Sequence, residues 1–329
     1  MKILITGVAG FIGFHLANYL LKKKFEIIGI DSINDYYDPE LKIARLKILK
    51  SKKLKFKHLN IADKLKIDRV FEVERPSIVI HLAAQAGVRF SIKNPHDYIE
   101  SNVVGFQNVL ENCRNFNVNH FLYASSSSVY GLNKEIPFSE CQTTDKPSNL
   151  YGATKKSNEL AAFSYSHLYS LPTTGLRFFT VYGPWGRPDM AYFKFTKNII
   201  QGKPINVYGN GDMYRDFTYI DDVVTAIAEL INIVPLKNIK NKDDLVPAEI
   251  YNIGNNKPES LEYFIQIIEN ATKIKAIKNY MPMQMGEIYK TCANIEKIQK
   301  LINFKVTTNL SVGLPLFIDW YKNFYKNNN

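Results

Sequence analysis

The chain has 329 residues, 46% of them apolar and 22% charged, so it can bury a large core without crosslinks. Its net charge of +11 lies largely in scattered lysines such as Lys22, Lys23, Lys24, Lys50, Lys52, Lys53, Lys55 and Lys57; without zinc-finger spacing, a basic heptad array or an RNA-binding signature these read as solvated surface or as a field for anionic ligands, and nucleic acid is not an expected partner. Three widely spaced cysteines with no CxxC pair give neither a disulfide framework nor a metal site, and no apolar run nears the ~20 residues that span a bilayer, so a cytoplasmic protein with no metal and no membrane association is expected.

In chain order, Lys2 to Thr6 reads as a buried strand, Phe11 to Lys23 as a helix and Glu26 to Asp31 as a second strand. Ser77 to His81 is another strand, followed by a helical stretch from about Pro95 to Asn117. His120 to Ser125 and Thr173 to Phe179 read as strands, with a helix over Tyr151 to Ser170 between them. Short apolar strands separated by helices imply parallel pairing covered on both faces, hence an α/β doubly wound (Rossmann-type) sheet. After Tyr182 the pattern loosens: a Gly- and Pro-rich loop over Gly183 to Pro188, a helix over Phe193 to Gly202, a strand over Pro204 to Tyr208 and a turn at Asn210-Gly211. Asp221 to Ile233 reads as a return helix, followed by a polar segment around Lys237 to Asp244. The expected organisation is a dinucleotide-binding domain over 1–181 that carries the catalytic residues. Residues 182–329 are expected to form mainly a smaller substrate-binding lobe that can interleave with it.

Gly7-Val8-Ala9-Gly10-Phe11-Ile12-Gly13 joins the first strand to the first helix. Glycines there permit a tight turn and close approach of the backbone to a pyrophosphate, which the helix N-terminus then attracts. Asp31 closes the second strand, where a carboxylate accepts hydrogen bonds from a ribose and repels a 2′-phosphate; this favours NAD over NADP. Tyr151 and Lys155 stand four apart at the start of a helix, on one face. A tyrosine is a poor base near neutrality unless a cation stabilises its phenolate, which a lysine and an oxidised nicotinamide can do. The run Ser125 to Ser128, just after a strand, offers a hydroxyl to a substrate oxygen; by itself it also reads as a plain loop.

In this order the motifs resemble those of the extended short-chain dehydrogenases. The likeness narrows to the UDP-glucuronate 4-epimerase branch in the stretches Asp35–Pro39, His81–Arg89, Phe178–Asp189 and Arg215–Asp222. The resemblance implies roles by position. Tyr151 would be the acid/base and Lys155 its electrostatic partner on the nicotinamide ribose, with Ser126 completing the triad. Gly7, Gly10, Phe11, Ile12, Gly13, Asp31, Ile61, Ala83 and Ala84 would bind NAD. Ser127 and Ser128 would lie near the sugar, Asn102 would help shape the substrate site, Arg215 would hold the diphosphate, and Thr180 and Arg187 would meet a hexuronate carboxylate, a task that suits arginine's planar fork. For Arg187 an ordinary loop charge, and for Arg215 a lobe-stabilising salt bridge, are the plainer alternatives. The implied reaction inverts C4 of UDP-glucuronate through a 4-keto sugar, and the implied assembly is a homodimer through paired helices.

The sequence departs from related patterns at Asn60-Ile61, where many relatives have an aspartate before the isoleucine. It departs again at Gln284, where many sugar epimerases place an arginine for the diphosphate. Dehydratases and uronate decarboxylases carry an acid beside the catalytic hydroxyl; here Ser127 and Ser128 follow, and the next acid is Glu135. Two rivals stay open: a 4-epimerase of N-acetylated or neutral UDP-hexoses, and a non-catalytic NAD-binding redox sensor.

Overall fold

β-Branched and leucine residues packed into Lys2–Thr6 (β1) form the centre of the first sheet, with Ile3, Leu4 and Ile5 fully buried. This computed structural model describes residues 1–236, 246–284 and 286–326; the polar segment around Lys237 to Asp244 lies outside the described residues. β1 leads into helix α1 (Phe11–Lys22) and then β2 (Glu26–Asp31). Next come α2 (Pro39–Leu49), β3 (Leu54–His58), α3 (Lys64–Glu74) and β4 (Ile78–His81). Short helices α4 (Val88–Lys93) and α5 (Pro95–Tyr98) run into a π-helical turn over Ile99–Val104 and then α6 (Gly105–Asn115). β5 (His120–Ser126), a 3-10 turn over Ser127–Tyr130, α7 (Leu150–Tyr169) and β6 (Thr173–Phe178) follow. Beyond them lie β7 (Thr180–Tyr182), α8 (Ala191–Ile200), β8 (Ile205–Tyr208), β9 (Tyr214–Tyr219), α9 (Ile220–Leu230), β10 (Ala248–Ile253), β11 (Pro258–Ser260), α10 (Leu261–Thr272), β12 (Lys278–Met281), α11 (Glu296–Ile302) and α12 (Leu310–Lys326).

The seven-stranded sheet has the order β10-β6-β5-β4-β1-β2-β3. β1 pairs in parallel with β2 and with β4, β2 with β3, and β4 with β5. The chain therefore reverses direction across the sheet at β1, and the carboxyl ends of β1, β2, β4 and β5 lie on one edge, where an open α/β sheet places its ligand crevice. One face packs Leu4, Ile28, Ile30 and Phe121 on Ile67 and Phe71 of α3 and on Phe106, Val109 and Leu110 of α6.

The chain divides into two units, one of residues 1–133, 143–177 and 224–251, the other of 134–142, 178–223 and 252–329. Where the sequence suggests one main boundary at 181 with interleaving, the chain changes unit five times: 134–142 belongs to the second unit, and 224–251, with β10, returns to the first. The second unit holds a three-stranded sheet, β11-β9-β7, and a parallel pair, β12-β8. Its core is aromatic: Phe217 stacks on Phe264 at 5.2 Å, and Phe193 meets Phe317 and Tyr321 of α12. Among the described residues, no helix is long and apolar enough to cross a membrane, and no cluster of three His, Cys, Asp or Glu could hold a metal.

Candidate active site

At the switch point, β1 runs into the glycine-rich turn. Gly7 has φ 73°, and a Cβ there would lie 2.7 Å from the Ala83 amide nitrogen, while a Cβ on Gly13 would collide with the Gly7 carbonyl. Only glycine fits these positions. β2 holds the turn: the Gly7 and Val8 amides donate to the Ile30 carbonyl at 2.7 and 3.1 Å, and the Ala9 amide donates to Asp31 Oδ2 at 3.0 Å. α1 starts behind Gly10 with no side-chain cap, which leaves the first-turn amides at Phe11, Ile12 and Gly13 to an anion. Asp31 also accepts from the Ile33 amide at 2.9 Å. A carboxylate has about four acceptor positions, so two amides leave room for a ribose hydroxyl. A turn closed to any Cβ, uncapped amides and a buried carboxylate at the next strand end together fit a dinucleotide.

The loop after β4 supplies the opposite wall. Ala83 and Ala84 are half-buried, and the Ala83 amide donates to Thr6 Oγ1 at 3.1 Å. Ile61 is buried against Gly105, where a Cβ would lie 2.7 Å from its side chain. Asn60 works locally: Oδ1 accepts from the Ala62 amide at 3.0 Å, and Nδ2 donates to Glu100 at 3.2 Å.

Asn102 lies in the π-helical turn, where one extra residue per turn interrupts the expected single helix. It is buried and binds both ways: Oδ1 accepts from the Gln85 amide at 2.8 Å, and Nδ2 donates to the Gln85 carbonyl at 2.9 Å and to Thr154 Oγ1 at 3.1 Å. The Asn158 side chain donates to the Asn102 carbonyl at 2.6 Å. Asn102 therefore ties the loop after β4 to α7.

Ser126 ends β5 and is buried; its Oγ accepts from the Ser128 amide at 3.1 Å, which winds the 3-10 turn. Ser127 and Ser128 are half-buried in that turn. Asn149 caps α7 by accepting from the Gly152 amide at 2.9 Å. At Gly152 a Cβ would lie 2.6 Å from the Ser128 carbonyl, so the missing side chain lets α7 start against the serine turn. Tyr151 is half-buried, with its ring edge-on to Tyr98 at 6.2 Å. Lys155, one turn on, is buried and donates to the Ala124 carbonyl at 2.8 Å. Burial pushes its ammonium down to about 7. His81 is fully buried; desolvation, with the nearby Lys155 charge adding to it, holds it down at about 3, so it is neutral.

The other predicted residues lie in the second unit. Thr180 opens β7 and is half-buried. Arg187 forms a two-pronged ion pair with Asp189, Nε to Oδ1 at 3.0 Å and Nη2 to Oδ2 at 2.5 Å. Arg215 donates to Glu287 Oε2 at 3.1 Å and to the carbonyls of Tyr214 and Tyr289 at 2.9 and 3.1 Å. Gln284 Oε1 is buried with no hydrogen-bond partner among the described residues.

Arg45 is the support that sequence reasoning misses. It is fully buried in α2, and its Nη1 donates at 2.8 Å both to the Ala9 carbonyl inside the glycine-rich turn and to Tyr37 Oη. Tyr37 belongs to the stretch Asp35–Pro39, in which Asp38 caps α2 by accepting from the Glu40 amide and Pro39 opens the helix. That stretch was legible only as a likeness; the link to Ala9 spans 36 residues and leaves no periodic signal.

Residues 3–254 match the model of the NAD dependent epimerase/dehydratase family. The chain is 52% identical over 333 residues to Protein CapI of Staphylococcus aureus, covering 99% of this chain and 100% of that one. It is 44% identical to a probable UDP-glucuronate 4-epimerase of Rhizobium meliloti, covering 99% and 98%. Among solved structures, UDP-glucuronic acid 4-epimerase from Bacillus cereus in complex with UDP-glucuronic acid and NAD superimposes with a TM-score of 0.90 at 34% identity, covering 99% and 100%. The glycine turn closed by Asp31 and the Tyr151–Lys155 face beside Ser126 thus stand in a frame shared along the whole chain, which belongs to the NAD-dependent epimerase/dehydratase family.

Proposed function

We propose that this protein is an NAD-dependent 4-epimerase of UDP-hexuronates, interconverting UDP-glucuronate and UDP-galacturonate. The observation that carries the reading is a buried lysine one helical turn from a half-buried tyrosine, beside a strand that ends in Ser126, in a chain matched end to end by UDP-glucuronate epimerases. Gly7, Gly10, Phe11, Ile12 and Gly13 hold the pyrophosphate, Asp31 the adenosine ribose, and Ile61, Ala83 and Ala84 line the rest of the dinucleotide. Held there, NAD would supply reversible hydride exchange at C4 of the sugar.

The chain's own residues handle the proton and the fit. Tyr151, as phenolate, takes the C4 hydroxyl proton and later gives it back, while Ser126 hydrogen-bonds the same oxygen. Lys155 offsets the phenolate charge in a dry site, where its field is strong. The 4-keto sugar must turn over while the nucleotide stays held, so grip belongs on the diphosphate, at Arg215, and only light contacts on the ring, at Ser127 and Ser128, with Thr180 beside Arg187 at the carboxylate. Arg187 meets the hexuronate carboxylate; any anion that takes its fork displaces Asp189. That ion pair favours the second reading, a 4-epimerase of neutral or N-acetylated UDP-hexoses, which needs no carboxylate site.

We also read the protein as a cytoplasmic homodimer. Ile99 and Val104 (each 44% exposed) and Leu160 and Phe163 of α7 (59% and 54%) offer an apolar face, and all three cysteines are free. The test of the reaction is incubation with UDP-glucuronate and no added cofactor, followed by chromatography and proton NMR. UDP-galacturonate accumulating to a stable mixture supports the reading; turnover of neutral or acetylated UDP-hexoses alone would replace it with the second.

A further inference from the structure

One buried polar network, all within the first unit, lies outside the roles given above. Glu159 is 3% exposed, and Arg177 on β6 grips it with two prongs, Nε to Oε1 at 2.8 Å and Nη2 to Oε2 at 2.9 Å. Ser125 Oγ donates to Glu159 Oε1 at 2.6 Å. Arg177 Nη1 donates to Tyr130 Oη at 3.1 Å, and its guanidinium lies 4.9 Å from the centre of the Tyr130 ring.

Each group is next to a residue of the site. Ser125 precedes Ser126 in β5, and successive strand side chains point to opposite faces, so Ser125 anchors while Ser126 is presented on the other side. Tyr130 closes the turn that holds Ser127 and Ser128. Glu159 follows Lys155 by four residues in α7, on the same face of the helix. One carboxylate thus joins the end of β5, the serine turn and the roll of α7. A buried ion pair is a poor source of stability, because well-packed apolar residues of similar volume often do as well or better. What it gives here is direction: a planar fork on a carboxylate fixes angles that apolar packing leaves loose.

We propose that Glu159, clamped by Arg177, is a positioning residue for the epimerisation: through Ser125 it sets the register between Ser126 on β5 and the Tyr151–Lys155 pair on α7. Glu159 does not touch the reacting atoms. Its action is geometric, and a misplacement of about 1 Å costs up to about a hundredfold in rate.

The role rests on the reaction proposed above, and wild-type protein converting UDP-glucuronate in the same assay separates the two. Ser125→Ala and the double variant Glu159→Met/Arg177→Met are compared in the full-length protein with its bound cofactor. The readings are kcat, KM, NAD content and melting temperature. Ser125→Ala lowers kcat about tenfold, with KM and NAD content within about twofold of wild type, the split expected of lost alignment. The double variant melts near the wild-type temperature and stays at least about tenfold slow. A double variant with both stability and kcat restored makes the pair merely structural and overturns the proposal. So does a folded Ser125→Ala protein with wild-type kcat, and that variant decides alone if the double variant does not fold. Absence of wild-type conversion overturns the reaction and the positioning role together.

Discussion

Lys155 stands where its charge costs most and acts most strongly. Burial lowers its ammonium to about 7, so near neutrality a phenolate beside it favours the charged form, and the two groups titrate as a pair. Tyr151→Phe removes the proposed proton carrier and leaves the dinucleotide turn intact. We expect kcat to fall by about 10²–10⁴-fold with NAD still bound, checked by coupling the NMR assay to the absorbance of released cofactor. The ion pair of Arg187 with Asp189 gives a second test at this scale. Asp189→Asn removes the carboxylate paired with the fork and lowers KM for UDP-glucuronate, and Arg187→Gln raises it; neither changes KM for a neutral UDP-hexose. Equal shifts for charged and neutral sugars would remove Arg187 from carboxylate recognition.

At the scale of elements, the π-helical turn is where the structure departs from the simple pattern. The sequence stretch from Pro95 to Asn117 reads as one helix, but it divides into α5, the π turn and α6. The reason is Asn102, which has to face the Gln85 backbone and Thr154 together; hydropathy periodicity carries no trace of a hydrogen bond to a loop 17 residues back. Asn102→Leu strips the Gln85 amide of its acceptor inside the protein. We expect a loss of about 1–3 kcal/mol in thermal unfolding, together with reduced NAD content, because the loop carrying Ala83 and Ala84 loosens.

Where burial follows a plain strand or helix period, elements were legible nearly to the residue: β2 runs over the expected Glu26–Asp31, and α7 is displaced by one residue at each end. α2 is different. It buries Lys42 and Arg45 along with Leu41 and Leu49, so polar residues occupy the inward face and the apolar stripe is broken. Likewise Asn210-Gly211 reads as a turn and is one, but of 3-10 form, with Asn210 left-handed at φ 52°. Of the candidate site, the glycines, Asp31, Tyr151 and Lys155 show as local spacing, and Ser126 is singled out of its serine run only by the family likeness. Arg45, Glu159 and Arg177 do not, because their partners meet only after folding.

For the whole molecule, acid is the informative stress. His81 and His120 are fully buried, and desolvation lowers them to about 3 and about 4. His120 Nδ1 faces the Ile231 carbonyl at 3.3 Å and Nε2 faces Thr174 Oγ1 at 2.8 Å, which suits a neutral ring with the proton on Nδ1. Between about 4 and 6.5 the unfolded chain binds more protons at both sites than the native state does. Stability therefore falls as pH drops through that range, by about 1.4 kcal/mol per pH unit for each histidine. Denaturant unfolding at several pH values should show a shallower slope for His120→Gln. Assembly is tested at the same scale: Phe163→Glu on the exposed face of α7 converts the expected dimer to monomer in light scattering, and a wild-type monomer would remove that interface.

The threading of the chain between its two units sets a rule for recombining this protein with its relatives. The unit that carries Thr180, Arg187 and Arg215 is assembled from 134–142, 178–223 and 252–329. Asp216 shows why these belong together: it is fully buried, and its carboxylate accepts from the amides of Asn255, Asn256 and Ala293 at 2.7, 3.0 and 2.8 Å. A chimaera joined at one point near residue 180 would move Asp216 with all three of these partners, but it would part 134–142 from the rest of that unit, where Glu140 and the Phe138 carbonyl accept from Asn252, and would set a foreign β10 in the sheet it completes. Exchanging this unit intact between relatives takes three cassettes at once, each cut at a unit boundary.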